Sequence, residues 1–178
     1  MSLTLSAIAR YPVKGLSAEA LPRVDLGVGC GLPDDRRWAM AHGAAGIDPD
    51  APRWMPKRAF LALDSLPSMA SLSLRRAGEG EVFEFVREGR VLLRADLGCG
   101  EGRKAVEALI GDHAGDAARG RVSLVEGRGF AFWDAEPPLV SIACLASLDD
   151  VSGAVGRPVE VERFRANLLV AGGLPWQE

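Results

Sequence analysis

Apolar and polar residues alternate in short runs through the first hundred positions of this chain, and glycine or proline breaks most runs within a few residues. Val24, Leu26 and Val28 alternate with Arg23, Asp25 and Gly27. Leu72 and Leu74 alternate with Ser71, Ser73 and Arg75. Phe83 and Phe85 flank Glu84, and Val91, Leu92 and Leu93 follow a Glu88-Gly89 turn. Successive side chains of a strand point to opposite faces, so a period of two predicts half-buried strands. Short strands joined by Gly/Pro turns constrain this half to a small barrel or sandwich. Residues 43–56 are polar, hold three prolines and show no period. They predict a long exposed loop of the kind that carries function.

The period lengthens after residue 100. Val106, Leu109, Ile110 and His113 share one face of a helix that opens at Glu101 and that Gly115 can stop. Val122 and Leu124 predict a strand. A second helix fits residues 144–155, with Leu145, Leu148 and Val155 on one side and Ser141 as its N-cap. Val159 and Val161, alternating with Glu160 and Glu162, predict another strand. The Gly/Ala/Asp-rich stretch 112–120 suits a boundary. The expectation is an α+β chain: a mostly β, barrel-like domain over residues 1–115, then a second domain over 116–178.

Apolar residues make up 48% of the chain, enough for a substantial core. The formal charge of −3 argues against a general nucleic-acid binder, because such domains are basic overall. Cys30, Cys99 and Cys144 form no C-x-x-C pair, and His42 and His113 lack zinc-ligand spacing. Sparse, unpaired cysteines predict free thiols in a reducing cytoplasm and no metal-ligand set. The most apolar stretch, residues 137–148, falls short of the ~18 residues of a spanning helix, so no membrane partner is expected. No charged region followed by an apolar core opens the chain, and no signal peptide is expected.

Three basic segments follow one another at turns: Tyr11-Pro12-Val13-Lys14-Gly15, Asp34-Asp35-Arg36-Arg37-Trp38 and Arg163-Phe164-Arg165-Ala166-Asn167. If they converge, they make a pocket for a polyanionic small molecule. Strand alternation sends Arg36 and Arg37 to opposite faces, so one of them can enter a pocket. On an extended segment Arg165 and Asn167 share a face, where guanidinium and amide together suit a phosphate or a pterin-type ring. Ser141, at a helix start, also favours an anion. Arg53, Lys57 and Arg58 add positive charge. The tryptophans and cysteines fit packing roles, and no Ser/His/Asp set suggests a catalytic residue.

A competing motif is Asp96-Leu97-Gly98-Cys99-Gly100-Glu101-Gly102, which lies between an apolar run and a helix. It resembles the first motif of class I S-adenosylmethionine-dependent methyltransferases, with Glu126 after the next strand as the ribose-binding acid. Against it, Arg94 falls in what would be a buried parallel strand.

The basic segments, in their order, resemble the MOSC family, named for the C-terminal domain of molybdenum cofactor sulfurase, preceded by that family's N-terminal β-barrel domain. The resemblance also takes in Ile8-Ala9-Arg10 before the first segment, Met55-Pro56-Lys57-Arg58, and Pro138-Leu139-Val140-Ser141-Ile142-Ala143-Cys144-Leu145. It implies binding of the molybdenum cofactor (molybdopterin), with Lys14, Arg36, Arg165 and Asn167 on the pterin or its phosphate and Ser141 as a further contact. It implies a relative of the amidoxime-reducing enzymes, which reduce N-hydroxylated or S-oxidised small molecules with electrons from an iron–sulfur or flavin partner. Ala166 departs from the family's proline. The family's metal-ligating cysteine lies downstream of the matched segments, and Cys144 is not read as that ligand. The resemblance thus implies a truncated MOSC barrel with flanking helices, inactive alone and not retaining the cofactor. A non-catalytic anion- or pterin-binding or sulfur-carrier module remains the other alternative.

Overall fold

The computed structural model describes residues 2–178. Its strands are β1 (Thr4–Arg10), β2 (Glu19–Leu21), β3 (Trp38–Ala41), β4 (Ser73–Arg76), β5 (Val82–Arg87), β6 (Arg90–Asp96), β7 (Ser123–Glu126), β8 (Ile142–Cys144) and β9 (Leu168–Ala171). Its α-helices are α1 (Gly100–Ala114) and α2 (Leu145–Val155). The class is α+β, and the paired strands lie in open sheets ordered β2-β1-β9-β8, β3-β7 and β4-β5-β6.

The chain divides into two compact units that interleave along the sequence. The first takes residues up to Arg10, Ala20–Pro33 and Leu139–Glu178; the second takes Tyr11–Glu19 and Asp34–Pro138. The cut expected at residue 115/116 falls in the short 3-10 turn Gly115–Ala118 that closes α1. Chain pairing crosses that point, since β3 pairs with β7 and β1 with β9.

In the first unit, β1 and β9 run antiparallel, and β8 and β9 run parallel. Parallel neighbours need a long crossover, which α2 supplies. Two expected strands are not there. Residues 24–28 alternate as a strand should but form no strand pairing among the described residues, and Val28 is fully exposed. Alternation describes a face only when a partner strand exists to make one. Around Val159 and Val161 the chain instead forms a 3-10 turn, Val161–Arg163.

The second unit holds two cores that share β3. Trp38 and Met40 enter one with Phe83, Phe85, Val106 and Ile110. Ala39 and Ala41 enter the other with Phe60, Val125 and Phe132. A strand buried on both faces reads as a continuous apolar run, which hides its period. The three-stranded meander β4-β5-β6 and helix α1 are where alternation and helical spacing predicted them. Glycine at 102 has a packing reason: a Cβ there would collide with the Asp96 carbonyl, where the helix starts against the end of β6.

Candidate functional site

In the second unit, Tyr11, Pro12, Val13 and Lys14 lie alongside Arg36, Arg37 and Trp38. Arg36 N donates to Tyr11 O at 2.6 Å, Trp38 N to Pro12 O at 3.0 Å and Lys14 N to Trp38 O at 2.8 Å. Gly15 then turns the chain at φ 88°, with Leu61 O only 3.1 Å from where a Cβ would sit. The position needs glycine on both counts. This turn carries Lys14 inward, and its side chain is 6% exposed.

The Lys14 ammonium donates to Phe132 O at 2.8 Å and to Asp134 Oδ1 at 2.5 Å, and sits 5.8 Å from the centre of the Phe60 ring. Asp134 Oδ2 lies 3.8 Å from Lys57, which also reaches Asp64 at 3.3 Å. Arg36 stands over the Tyr11 ring at 4.3 Å and pairs with Asp35. Asp35 is fully buried and accepts from Tyr11 N at 2.8 Å and Trp133 Nε1 at 3.2 Å. Trp54 Nε1 donates to Trp133 O at 3.2 Å, fixing the segment that delivers Asp134.

The electrostatics follow from this packing. Burial lowers the Lys14 pKa; Asp134 opposes that, while the charges of Arg36 and Lys57 reinforce it. Burial would raise the Asp134 pKa, but the Lys14 hydrogen bond and the charges of Lys14, Lys57 and Arg36 outweigh it, so the carboxyl lies below its usual range. Three cations therefore act on the Asp134 carboxylate, two of them in contact with it and Arg36 through its charge alone.

Arg36 and Arg37 do diverge, though not by strand alternation. Arg36 adopts φ 49° and Asp34 φ 59°, so the segment is a left-handed turn ahead of β3. Non-glycine residues seldom sit there, and such strain gathers at functional sites. Arg37 leaves the other way, to Glu126 at 2.5 Å and to Glu81 and Asp34 at 3.2 Å. It is a structural clamp, not a ligand group.

In the first unit, Ser141 and Asn167 come together, but on each other. Ser141 N and Oγ donate to Asn167 Oδ1 at 3.2 and 2.9 Å, and Asn167 Nδ2 donates to Ala9 O at 3.1 Å. Asn167 is buried. Its amide is spent holding β1 and β9 to the start of β8. Ser141 is therefore not the cap of α2; that position is Cys144, which makes no side-chain cap bond. Arg165 adopts φ 52°, so the extended geometry that would align it with Asn167 does not form. A cavity of about 230 Å³, lined by Ile142, Cys144, Leu148, Val161, Phe164 and Trp176, lies beside α2.

The remaining cysteines and histidines have local partners or packing. Cys144 is buried as expected, whereas Cys30 and Cys99 are exposed, the latter capping α1 through Gly102 N at 3.3 Å. His42 bonds Arg58 O at 2.9 Å, and His113 faces Arg87 at 3.2 Å. Among the described residues no group of three or more His, Cys, Asp or Glu is placed to hold a metal ion. None of the helices described is long and apolar enough to cross a membrane. The strand before the Gly98-to-Gly102 run, β6, pairs antiparallel at a sheet edge. A methyltransferase cofactor crevice requires parallel strands there.

Sequence reasoning missed Asp134 and the part of Lys57 that faces it. The one signal was an acidic residue directly after the apolar run Phe130-Ala131-Phe132-Trp133 and shortly before Pro137-Pro138. No family model and no curated protein matches the chain.

Proposed function

We propose that the chain binds the anionic end of a cofactor at the Lys14–Arg36 turn, as the cofactor-binding part of a MOSC-type oxidoreductase with barrel domains. The observation that carries this is a buried ammonium, paired with Asp134 and lying within the electrostatic reach of Arg36 and Lys57, which have Asp35 and Asp64 as their own partners. Burying a charge is costly unless it is paired, and collecting further cations beside it raises the cost. Such an arrangement is characteristic of a site that receives negative charge. The donor set, a point-charge lysine and a guanidinium stacked on Tyr11, suits a phosphate next to a flat ring. The fit is to the phosphate and pterin end of molybdopterin.

When bound, the cofactor's molybdenum would supply two-electron reduction of N-hydroxylated or S-oxidised small molecules, fed by an iron–sulfur or flavin donor. The chain's own residues bind and orient. Lys14 and Arg36 neutralise the phosphate, and Phe60 and Phe132 keep water from the ammonium's inner side. In the first unit, Ser141 and Asn167 shape the strand ends. Their mutual bonding favours a second reading, an anion-binding module without chemistry of its own.

Equilibrium dialysis against molybdopterin released from a molybdoenzyme, read by the fluorescence of its oxidised pterin, tests the proposal. Pterin should partition to the wild-type side and do so several-fold less for Lys14→Gln and Arg36→Gln. Equal partition for all three would remove the proposal. Retention of inorganic phosphate with no preference for pterin would select the module.

A further inference from the structure

We propose that the Asp134 carboxylate is an exchangeable stand-in for the ligand's anion: a phosphate-class oxyanion enters by displacing it from Lys14 and Lys57. The inference rests on the reading of the Lys14 turn as an anion site, and adds how that site is kept when empty and how it fills.

The carboxylate is placed as an incoming anion would be. One oxygen meets Lys14 at 2.5 Å and the other lies 3.8 Å from Lys57, so it bridges two cations. The burial is one-sided. The lysine side chain is 6% exposed and the aspartate 65%. The carboxylate thus caps the buried ammonium from solvent, where an exchange can start. The neighbours of Asp134 are held by the rest of the unit, and its carboxylate by the two lysines. Phe132 N is bonded to Arg36 O at 2.8 Å, Trp133 Nε1 to Asp35 and Trp133 O to Trp54, whereas the Asp134 side chain has only the two lysines as partners among the described residues. Rotating one side chain would release the cations while Phe132 O keeps its hold on Lys14.

The donor count also leaves room. An ammonium has three N–H donors, and the described structure gives Lys14 two partners. An oxyanion can take over the Asp134 bond and add the third. The arrangement answers a folding problem as well. Without a counter-charge the buried ammonium would be uncompensated in the empty protein, so the carboxylate keeps the fold tolerable until a ligand arrives.

The test is calorimetric titration with inorganic phosphate. A competing closed state held nine-tenths of the time lowers apparent affinity about tenfold. Asp134→Asn should therefore bind phosphate about tenfold or more tightly than wild type. Asp64→Asn, which removes an equal charge from Lys57 alone, should change it by less than about threefold. Lys14→Gln should bind none. Equal gains in Asp134→Asn and Asp64→Asn would show a general charge effect and overturn the exchange. So would absence of phosphate binding in both wild type and Asp134→Asn. If Asp134→Asn folds poorly, phosphate should raise its melting temperature more than that of wild type; no such rescue also overturns it. The pterin dialysis is read separately. Pterin binding that depends on Lys14 with no gain in Asp134→Asn leaves the cofactor reading standing without the exchange. A phosphate gain without pterin binding leaves the exchange without the cofactor.

Discussion

Two arginines next to each other do opposite work. Arg36 joins the cation cluster, while Arg37 is enclosed by three acids, chiefly Glu126. Burial would raise the Glu126 pKa, but Arg37 and Arg128 outweigh it and hold the carboxyl below its ordinary value of 4.5. With the folded pKa below the unfolded one, the unfolded chain binds more protons between the two values. Stability is therefore fully present above about pH 4.5 and lost as pH falls through the lowered folded value. In Glu126→Gln the urea midpoint should be lower than wild type at neutral pH, with the gap closing below pH 4.5. A gap that persists unchanged at pH 3 would show that packing, not charge, links Glu126 to Arg37. None of this was legible in the run Asp34-Asp35-Arg36-Arg37. Two acids followed by two bases suit a solvated ion-pair cluster equally well, and only the left-handed turn sorts them.

Elements with a local cause were the legible ones. The β5–β6 hairpin carries its turn, Glu88-Gly89, between two apolar runs, and α1 carries its spacing and its stop at Gly115. Elements that depend on a distant partner were not. Residues 24–28 have the pattern of a strand without the partner, and β3, buried on both faces, has the partner without the pattern. The glycine run at the start of α1 shows the same limit, since its spacing alone suggests a cofactor loop. Its packing separates the glycines: a methyl group at 102 would meet the Asp96 backbone, while at 100 nothing lies within 4 Å. Gly102→Ala should cost about 1–3 kcal/mol by overpacking, and Gly100→Ala should fall within about 0.5 kcal/mol of wild type, both by chemical denaturation. Equal costs would mean the helix start tolerates a shift that frees residue 102.

At the scale of the whole molecule, the candidate site was half visible. Lys14 and Arg36 are brought together as their shared turn chemistry suggested, whereas Asn167 and Ser141 turned out to bond each other. Amide and hydroxyl groups serve equally as ligand contacts and as strand ties, and sequence does not distinguish the two uses. The tie has a consequence in time. Asn167 and Ala9 bond across 158 positions, and the first unit is assembled from the beginning and the end of the chain with the second unit's segments between. A chain synthesised from its N-terminus can complete the second unit once Pro138 has emerged, but β1 has no β9 to pair with until some thirty residues later (roughly; synthesis proceeds at about 5–20 residues per second). Ribosome-bound chains arrested just beyond residue 138 should resist protease across β3 to β7 and be cut within residues 2–10. Protection of that first strand at this stage would contradict the order. The Asn167–Ala9 bond thus acts as a clasp that closes last: it sets a waiting period during translation in which Ile8, buried in the finished fold, is newly made, uncovered and open to capture by a chaperone.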